Sequence, residues 1–170
     1  TVDPLGTSVF GTTVTLTALN ARLATLTPTV TAATTMNGKL DFDFSNIGYG
    51  NGAPFGGIDP TQGDYGFTNT DNMEVRWTGY INITTPGLAT FSTTSDDGTM
   101  VFINDGDTPV VNNNFYQGAT TRTGTYNFTT PGYHKITLAF YEGGGGSGAL
   151  FQWNQAGDFL HNLLNTEVVR

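Results

Sequence analysis

Between Met73 and Ile83 the chain changes character at every residue: Met73, Val75, Trp77, Gly79, Ile81 and Ile83 share one face, and Glu74, Arg76, Thr78, Tyr80 and Asn82 take the other. A period of two sustained this long predicts a β-strand with one buried side. Trp77 is in phase with the aliphatic set, which makes it a core residue rather than a sugar-stacking platform. Shorter runs rich in β-branched and aromatic residues, punctuated by Gly, Pro, Asn and Asp, predict strands at Leu88–Thr94, Thr99–Ile103, Arg122–Phe128, Tyr133–Tyr141 and Ala149–Trp153. Leu40, Phe42 and Phe44 alternate with Asp41, Asp43 and Ser45 and predict one more. Near the N-terminus, Thr13–Ala18 is read as strand or loop, although Leu16, Leu19, Leu23 and Leu26 also fit one face of a short helix ending before Pro28. Elsewhere a helical period is confined to Phe159–Leu164. The pattern predicts an all-β fold: a two-sheet antiparallel β-sandwich with long surface loops, in a single domain spanning 1–170.

Two stretches repeat. Asn82-Ile83-Thr84-Thr85-Pro86-Gly87 is echoed by Asn127-Phe128-Thr129-Thr130-Pro131-Gly132, and each opens a turn that feeds an apolar run. Counted equally from each Pro-Gly, one run reaches Asp96 in the turn Ser95-Asp96-Asp97-Gly98, and the other reaches Tyr141, just before Glu142-Gly143-Gly144-Gly145-Gly146-Ser147-Gly148. Strands of equal length leaving similar turns deliver their far loops to one end of a sandwich. The acidic turn and the glycine loop are therefore expected to be neighbours. Adjacent carboxylates on a sharply bent backbone concentrate the hard oxygen ligands that Ca²⁺ requires, and glycines let backbone carbonyls turn toward a common point. Asp and Gly are also ordinary turn residues, so this reading stands beside a purely structural one.

Composition narrows the partners. The chain has 170 residues, 37% hydrophobic and 12% aromatic, which suffices for a real core. Six Lys and Arg against a formal net charge of −8 disfavour nucleic acid. Zero cysteines exclude a disulfide framework and a thiolate metal site. No apolar run approaches membrane-spanning length, so no membrane insertion is expected. The Thr, Asn, Gly and Asp richness favours an exported, extracellular bacterial chain, cut from a longer parent or already processed.

Other sites weigh less. Asp96 and Asp97 are too close in sequence to flank a glycosidic bond as an acid/base pair at roughly 5 to 9.5 Å. Ser147 lacks the nucleophile-elbow pattern and its strand-to-helix setting. Gly143, Gly145 and Gly148 match a dinucleotide fingerprint in spacing only, because no helix and no basic residue follows. His134 and His161 read as surface or satisfied histidines, and Asp59, Asp64 and Asp71, in and just after the Gly48–Gly66 loop, as solvated. No catalytic residue is assigned, and the chain is read as a binder.

The run Val75-Arg76-Trp77-Thr78-Gly79-Tyr80-Ile81, then Pro86-Gly87, Ser95-Asp96-Asp97-Gly98, Pro131-Gly132 and Tyr141-Glu142-Gly143-Gly144, resembles the PA-fourteen (PA14) domain, the lectin-like β-sandwich named after anthrax protective antigen. The match covers residues 73–153. In the sugar-binding branch, which includes bacterial surface adhesins, the resemblance implies that Asp96 and Asp97 are joined by a cis peptide and hold Ca²⁺. It places further ligands at Gly143, Gly145 and Ser147. One departure is that Gly143 offers no side chain where sugar-binding relatives often carry Asn or Gln. The implied function is calcium-dependent binding of cell-surface glycans or free monosaccharides. Asp96 and Asp97 act through the ion, while Tyr116 and Gln117 of the Asn112–Gln117 stretch contact the sugar's edge. The protein would be a monomeric module within a longer surface adhesin. The rival is a structural or protein-interaction sandwich without a lectin site.

Overall fold

Alternation along Met73–Ile83 does what the period of two requires: it turns Trp77, Ile81 and Ile83 into a shared core and leaves Arg76, Thr78 and Tyr80 outside it. The computed structural model describes residues 15–25, 46–49, 73–144, 147–163 and 167–169. These form helix α1 (Leu16–Thr25) and strands β1 (Asn46–Tyr49), β2 (Met73–Ile83), β3 (Gly87–Asp96), β4 (Gly98–Ile103), β5 (Val111–Asn113), β6 (Thr120–Phe128), β7 (Gly132–Glu142), β8 (Ser147–Asn154), β9 (His161–Asn162) and β10 (Val168–Val169). One sheet has the order β10-β2-β7-β4-β5. The other runs β1-β8-β3-β6, with β9 paired to β8. Every pairing among the described strands is antiparallel.

The inner faces meet in a core to which β2, β4 and β7 contribute Trp77, Ile81, Val101, Leu138 and Phe140, and β3, β6 and β8 contribute Phe91, Phe128, Phe151 and Trp153. Trp77 meets Phe151 edge-on at 6.0 Å, and Phe91 stacks on Trp153 at 6.0 Å. Each such side chain contributes roughly 1.5–3 kcal/mol on burial, so these rings dominate what holds the sheets together. Trp77, 6% exposed, has the core role read from its phase.

A second apolar cluster lies on the outer face of the β7 sheet, where Leu16, Leu19 and Leu23 of α1 cover Met100, Phe102, Ala139 and Tyr141. This corrects the strand or loop expected at Thr13–Ala18. From Leu16 onward the segment is the helix that the leucine spacing also allowed. Burial of one leucine stripe outweighs the weak helix propensity of its threonines. The Thr15 hydroxyl accepts from the Ala18 amide at 3.1 Å, and Asp107 accepts from the Leu16 amide at its carbonyl and from the Thr17 amide at its carboxylate, which satisfies the first turn.

The helical period at Phe159–Leu164 is also corrected. His161 and Asn162 pair with Trp153 and Gln152 as β9, and Phe159 is 88% exposed, so the apolar spacing there buries no stripe. Strands β1, β5, β9 and β10 are not among the expected ones, each being too short to carry a period, and β1 takes Gly48 and Tyr49 out of the start of the expected Gly48–Gly66 loop by pairing them with β8. The strand expected at Leu40–Phe44 and the residues Asp59, Asp64 and Asp71 lie outside the described residues, as does the Gly48–Gly66 loop beyond β1.

Topology brings the two motif loops together. The acidic turn crosses from β3 in one sheet to β4 in the other, and the glycine loop crosses back from β7 to β8. Asp96 lies opposite Gly148, and Gly98 lies opposite Tyr141, so both crossings occupy the same end of the sandwich.

Candidate functional site

Three carboxylates converge at that end. The ligand oxygens of Asp96, Asp97 and Glu142 lie within 4.8 Å of one another. The Asp96–Asp97 peptide bond is cis, as the resemblance implies. Asp97 is held on several sides: one carboxylate oxygen accepts from the Gly143 amide and the other from the Gln117 amide, each at 2.8 Å, while its carbonyl accepts from Gln117 Nε2 at 3.2 Å. Glu142 ends β7 with its side chain turned to the inner face, and only 1% of the residue is exposed. Its two carboxylate oxygens are buried without a well-formed hydrogen bond. The Asp97 and Gly144 amides lie close enough to temper its charge only partly.

The electrostatics follow from this crowding. Burial, with the Asp97 and Asp96 charges adding to it, pushes the Glu142 carboxyl up to about 9. Burial and the Asp97 charge raise Asp96 to about 6. Asp97 is raised by burial too, against the pull of the Gly143 and Gln117 amides. No described Lys or Arg forms an ion pair with any of the three. Three carboxyl groups gathered in a desolvated corner without a cation of the chain's own, which hold on to protons there, are an arrangement that a bound cation would complete.

The expected site residues are partly gathered here. Tyr116, 62% exposed, lies against Gly143: a Cβ built on Gly143 would sit 2.7 Å from the Tyr116 ring and 3.2 Å from Asp97 Oδ2. The glycine is thus required by close approach, and the ring occupies the space that a side chain there would need. Gly143 contributes its amide to Asp97. Gly145 lies outside the described residues, and Ser147 opens β8 opposite Tyr49. Gln117, expected as a sugar contact, lies beside the acidic turn. Its side chain is engaged with Asp97, Asn113 and Arg122. His134 bonds Asn104 and the Thr130 carbonyl, and His161 bonds Glu167, so neither joins the site.

Glu142 is the residue that sequence reasoning missed. It stands next to the glycine run in a motif already singled out, and its position directly after the apolar run Ile136–Tyr141 was the available signal. A carboxylate that ends a buried strand in phase with Leu138 and Phe140 must point into the sandwich.

The family model for the PA14 domain matches residues 60–158. The chain belongs to the PA14 domain family. No curated protein matches it. Among solved structures, an anti-sigma factor domain-containing protein from Clostridium clariflavum aligns with a TM-score of 0.55 at 16% identity over 75% of this chain and 40% of its own. A PA14 sugar-binding domain from an RTX adhesin aligns at 0.49 and 26% identity, over 56% of this chain and 53% of its own. The PA14 domain of an antifreeze protein, MpAFP, aligns at 0.48 and 23%, over 56% and 50%. The matched part of this chain thus spans about half, or less, of these relatives' lengths. The first of these likenesses supports the two-sheet sandwich alone.

Proposed function

We propose that this PA14 domain binds Ca²⁺ at Asp96, Asp97 and Glu142 and uses the ion to capture vicinal hydroxyls of a carbohydrate. The observation that carries the proposal is the mutual 4.8 Å approach of three carboxylates, two of them buried, with no cationic side chain paired to them among the described residues. Calcium–oxygen distances of about 2.3–2.6 Å allow ligand oxygens up to roughly 5 Å apart around one ion, so the spacing fits. An all-oxygen, cysteine-free donor set suits a hard cation. Backbone carbonyls of the Gly143, Gly145 and Ser147 stretch are assigned as further ligands, and sugar hydroxyls complete the sphere.

Within this reading the ion supplies charge and fixed geometry, and the protein supplies placement. Gly143 and Gln117 aim the Asp97 carboxylate. The exposed Tyr116 ring borders the site and offers an apolar face to a sugar's C–H edge. The protein acts as a binder rather than an enzyme, with cell-surface glycans or free monosaccharides as partners, in an extracellular module of a bacterial surface adhesin. No helix among the described residues is long and apolar enough to cross a membrane.

A glycan array run with Ca²⁺ and again with chelator tests metal and sugar together. Binding that disappears with chelator, and in Asp97→Ala with the fold retained, is the expected result. Chelator-insensitive binding, or no glycan bound with Ca²⁺ present, would leave the non-lectin sandwich as the better reading.

A further inference from the structure

Behind the acidic turn lies a polar network that touches no solvent-facing ligand position yet ends on Asp97. Asn113, fully buried at the end of β5, donates through Nδ2 to the Thr120 carbonyl at 2.8 Å and to the Ser95 and Thr93 hydroxyls at 3.2 Å. Its Oδ1 accepts from Gln117 Nε2 at 2.8 Å and from Arg122 Nη1. The same Arg122 nitrogen donates to Gln117 Oε1 at 2.9 Å, and its guanidinium carbon sits 4.3 Å above the centre of the Phe115 ring.

The directions of these bonds are fixed from one end. A guanidinium only donates, so the oxygens of both amides must face Arg122. With Gln117 Oε1 turned to Arg122, its Nε2 is left facing the Asp97 carbonyl, to which it donates at 3.2 Å. With Asn113 Oδ1 likewise turned, its Nδ2 faces the Thr120 carbonyl, which accepts only. The chain of bonds spans both sheets: Asn113 belongs to the β7 sheet, and Thr93, Ser95 and Arg122 belong to the β3 sheet.

We infer that Arg122, Gln117 and Asn113 are positioning residues for the cation site: the arginine orients two amides, and Gln117 then clamps Asp97 at its carbonyl by the side chain and at its carboxylate by the backbone amide. The inference rests on the calcium reading given above and deepens it, because it names what holds the ligand that the ion needs. Partners of this kind, one shell behind a ligand, typically change metal affinity tenfold to a hundredfold when removed. It also accounts for Gln117 facing inward rather than toward a sugar.

The test is calorimetric titration of Ca²⁺ into the metal-stripped whole chain and its variants, with the metal-free melting temperature recorded for each. Gln117→Glu keeps the shape but sets a carboxylate oxygen against the Asp97 carbonyl and Asn113 Oδ1. Arg122→Met removes the orienting donor. Each should weaken Ca²⁺ binding tenfold to a hundredfold, by more free energy than any fall in metal-free stability, and Arg122→Lys, which keeps a donor-only cation, should recover most of the affinity. Wild-type Ca²⁺ affinity in both variants overturns the inference. So does weakened affinity accompanied by an equal loss of metal-free stability, since that is the mark of a merely structural role. If the unaltered chain itself takes up no Ca²⁺, the metal reading fails first and this inference falls with it.

Discussion

Two buried glutamates, each on one of the two adjacent strands β2 and β7, have opposite surroundings. Glu74 lies on the outer face of β2 beneath α1, 4% exposed, and pairs with Arg22 of that helix. Glu142 lies on the inner face of β7, 1% exposed, and its nearest charges are Asp96 and Asp97. Burial raises both carboxyls, but Arg22 pulls Glu74 back down, whereas the aspartates push Glu142 further up, to about 9. The first carboxylate has its countercharge built into the chain and serves to fasten a helix to a sheet. The second has none among the described residues, and that difference is what the proposed cation would resolve.

Arg22→Met attacks the first half of the comparison. It removes the guanidinium that pairs with buried Glu74, which costs about 3 kcal/mol or more when one member of a buried pair is lost. For a chain of this size that amounts to roughly 10 °C in melting temperature. Thermal denaturation should show the loss equally with and without Ca²⁺. Glu142→Gln attacks the second half. It should leave metal-free stability nearly unchanged at neutral pH, because the Glu142 carboxyl, pushed up to about 9, is already uncharged there, yet lower Ca²⁺ affinity by tenfold or more in a calorimetric titration. A large metal-free destabilisation by Glu142→Gln would make the two glutamates alike and break the comparison.

The metal-free pH profile sharpens it further. The folded protein holds protons on Asp96 up to about pH 6 and on Glu142 up to about pH 9, where the unfolded chain has already released them. Their contribution is therefore present at acid pH and lost as pH rises through those values. The chelated protein should melt progressively lower from pH 5 to pH 9, and the gain on adding Ca²⁺ should be larger at pH 8 than at pH 5. A metal-free melting temperature that is flat over this range would contradict the charge crowding.

A smaller effect is expected at Gly98. A Cβ there would lie 2.7 Å from Asn114 Oδ1 and 3.1 Å from Asn114 Cα, so Gly98→Ala forces the β5–β6 loop away from the acidic turn. About 1 kcal/mol of stability and a few-fold of Ca²⁺ affinity should be lost, measured by the same melts and titrations. An unchanged affinity would detach that loop from the site.

The central strands were legible because alternation and burial agree: the Met73–Ile83 pattern needs no tertiary information to find its face. The proximity of the acidic turn to the glycine loop was legible too, since equal runs from the two Pro-Gly turns fix both ends. Helix α1 was ambiguous because Leu16, Leu19 and Leu23 mean something only against Met100, Phe102 and Tyr141, which are remote in sequence. The hydrogen bonds of Gln117 were not legible for a related reason. Its place in the Asn112–Gln117 stretch suggested a sugar contact, while its bonds to Arg122 and Asn113 join residues that it meets only in the folded protein. Glu142 was overlooked beside the glycines, although its phase with Leu138 and Phe140 already turned it inward.

The central claim is that the three-carboxylate corner takes a cation from solution, and calorimetric titration of Ca²⁺ into the metal-stripped protein at neutral pH tests it most directly. One saturable site per chain, absent in Asp97→Ala while that variant remains folded, is the predicted result. No Ca²⁺ uptake by the unaltered chain, or uptake that survives Asp97→Ala undiminished, would contradict it.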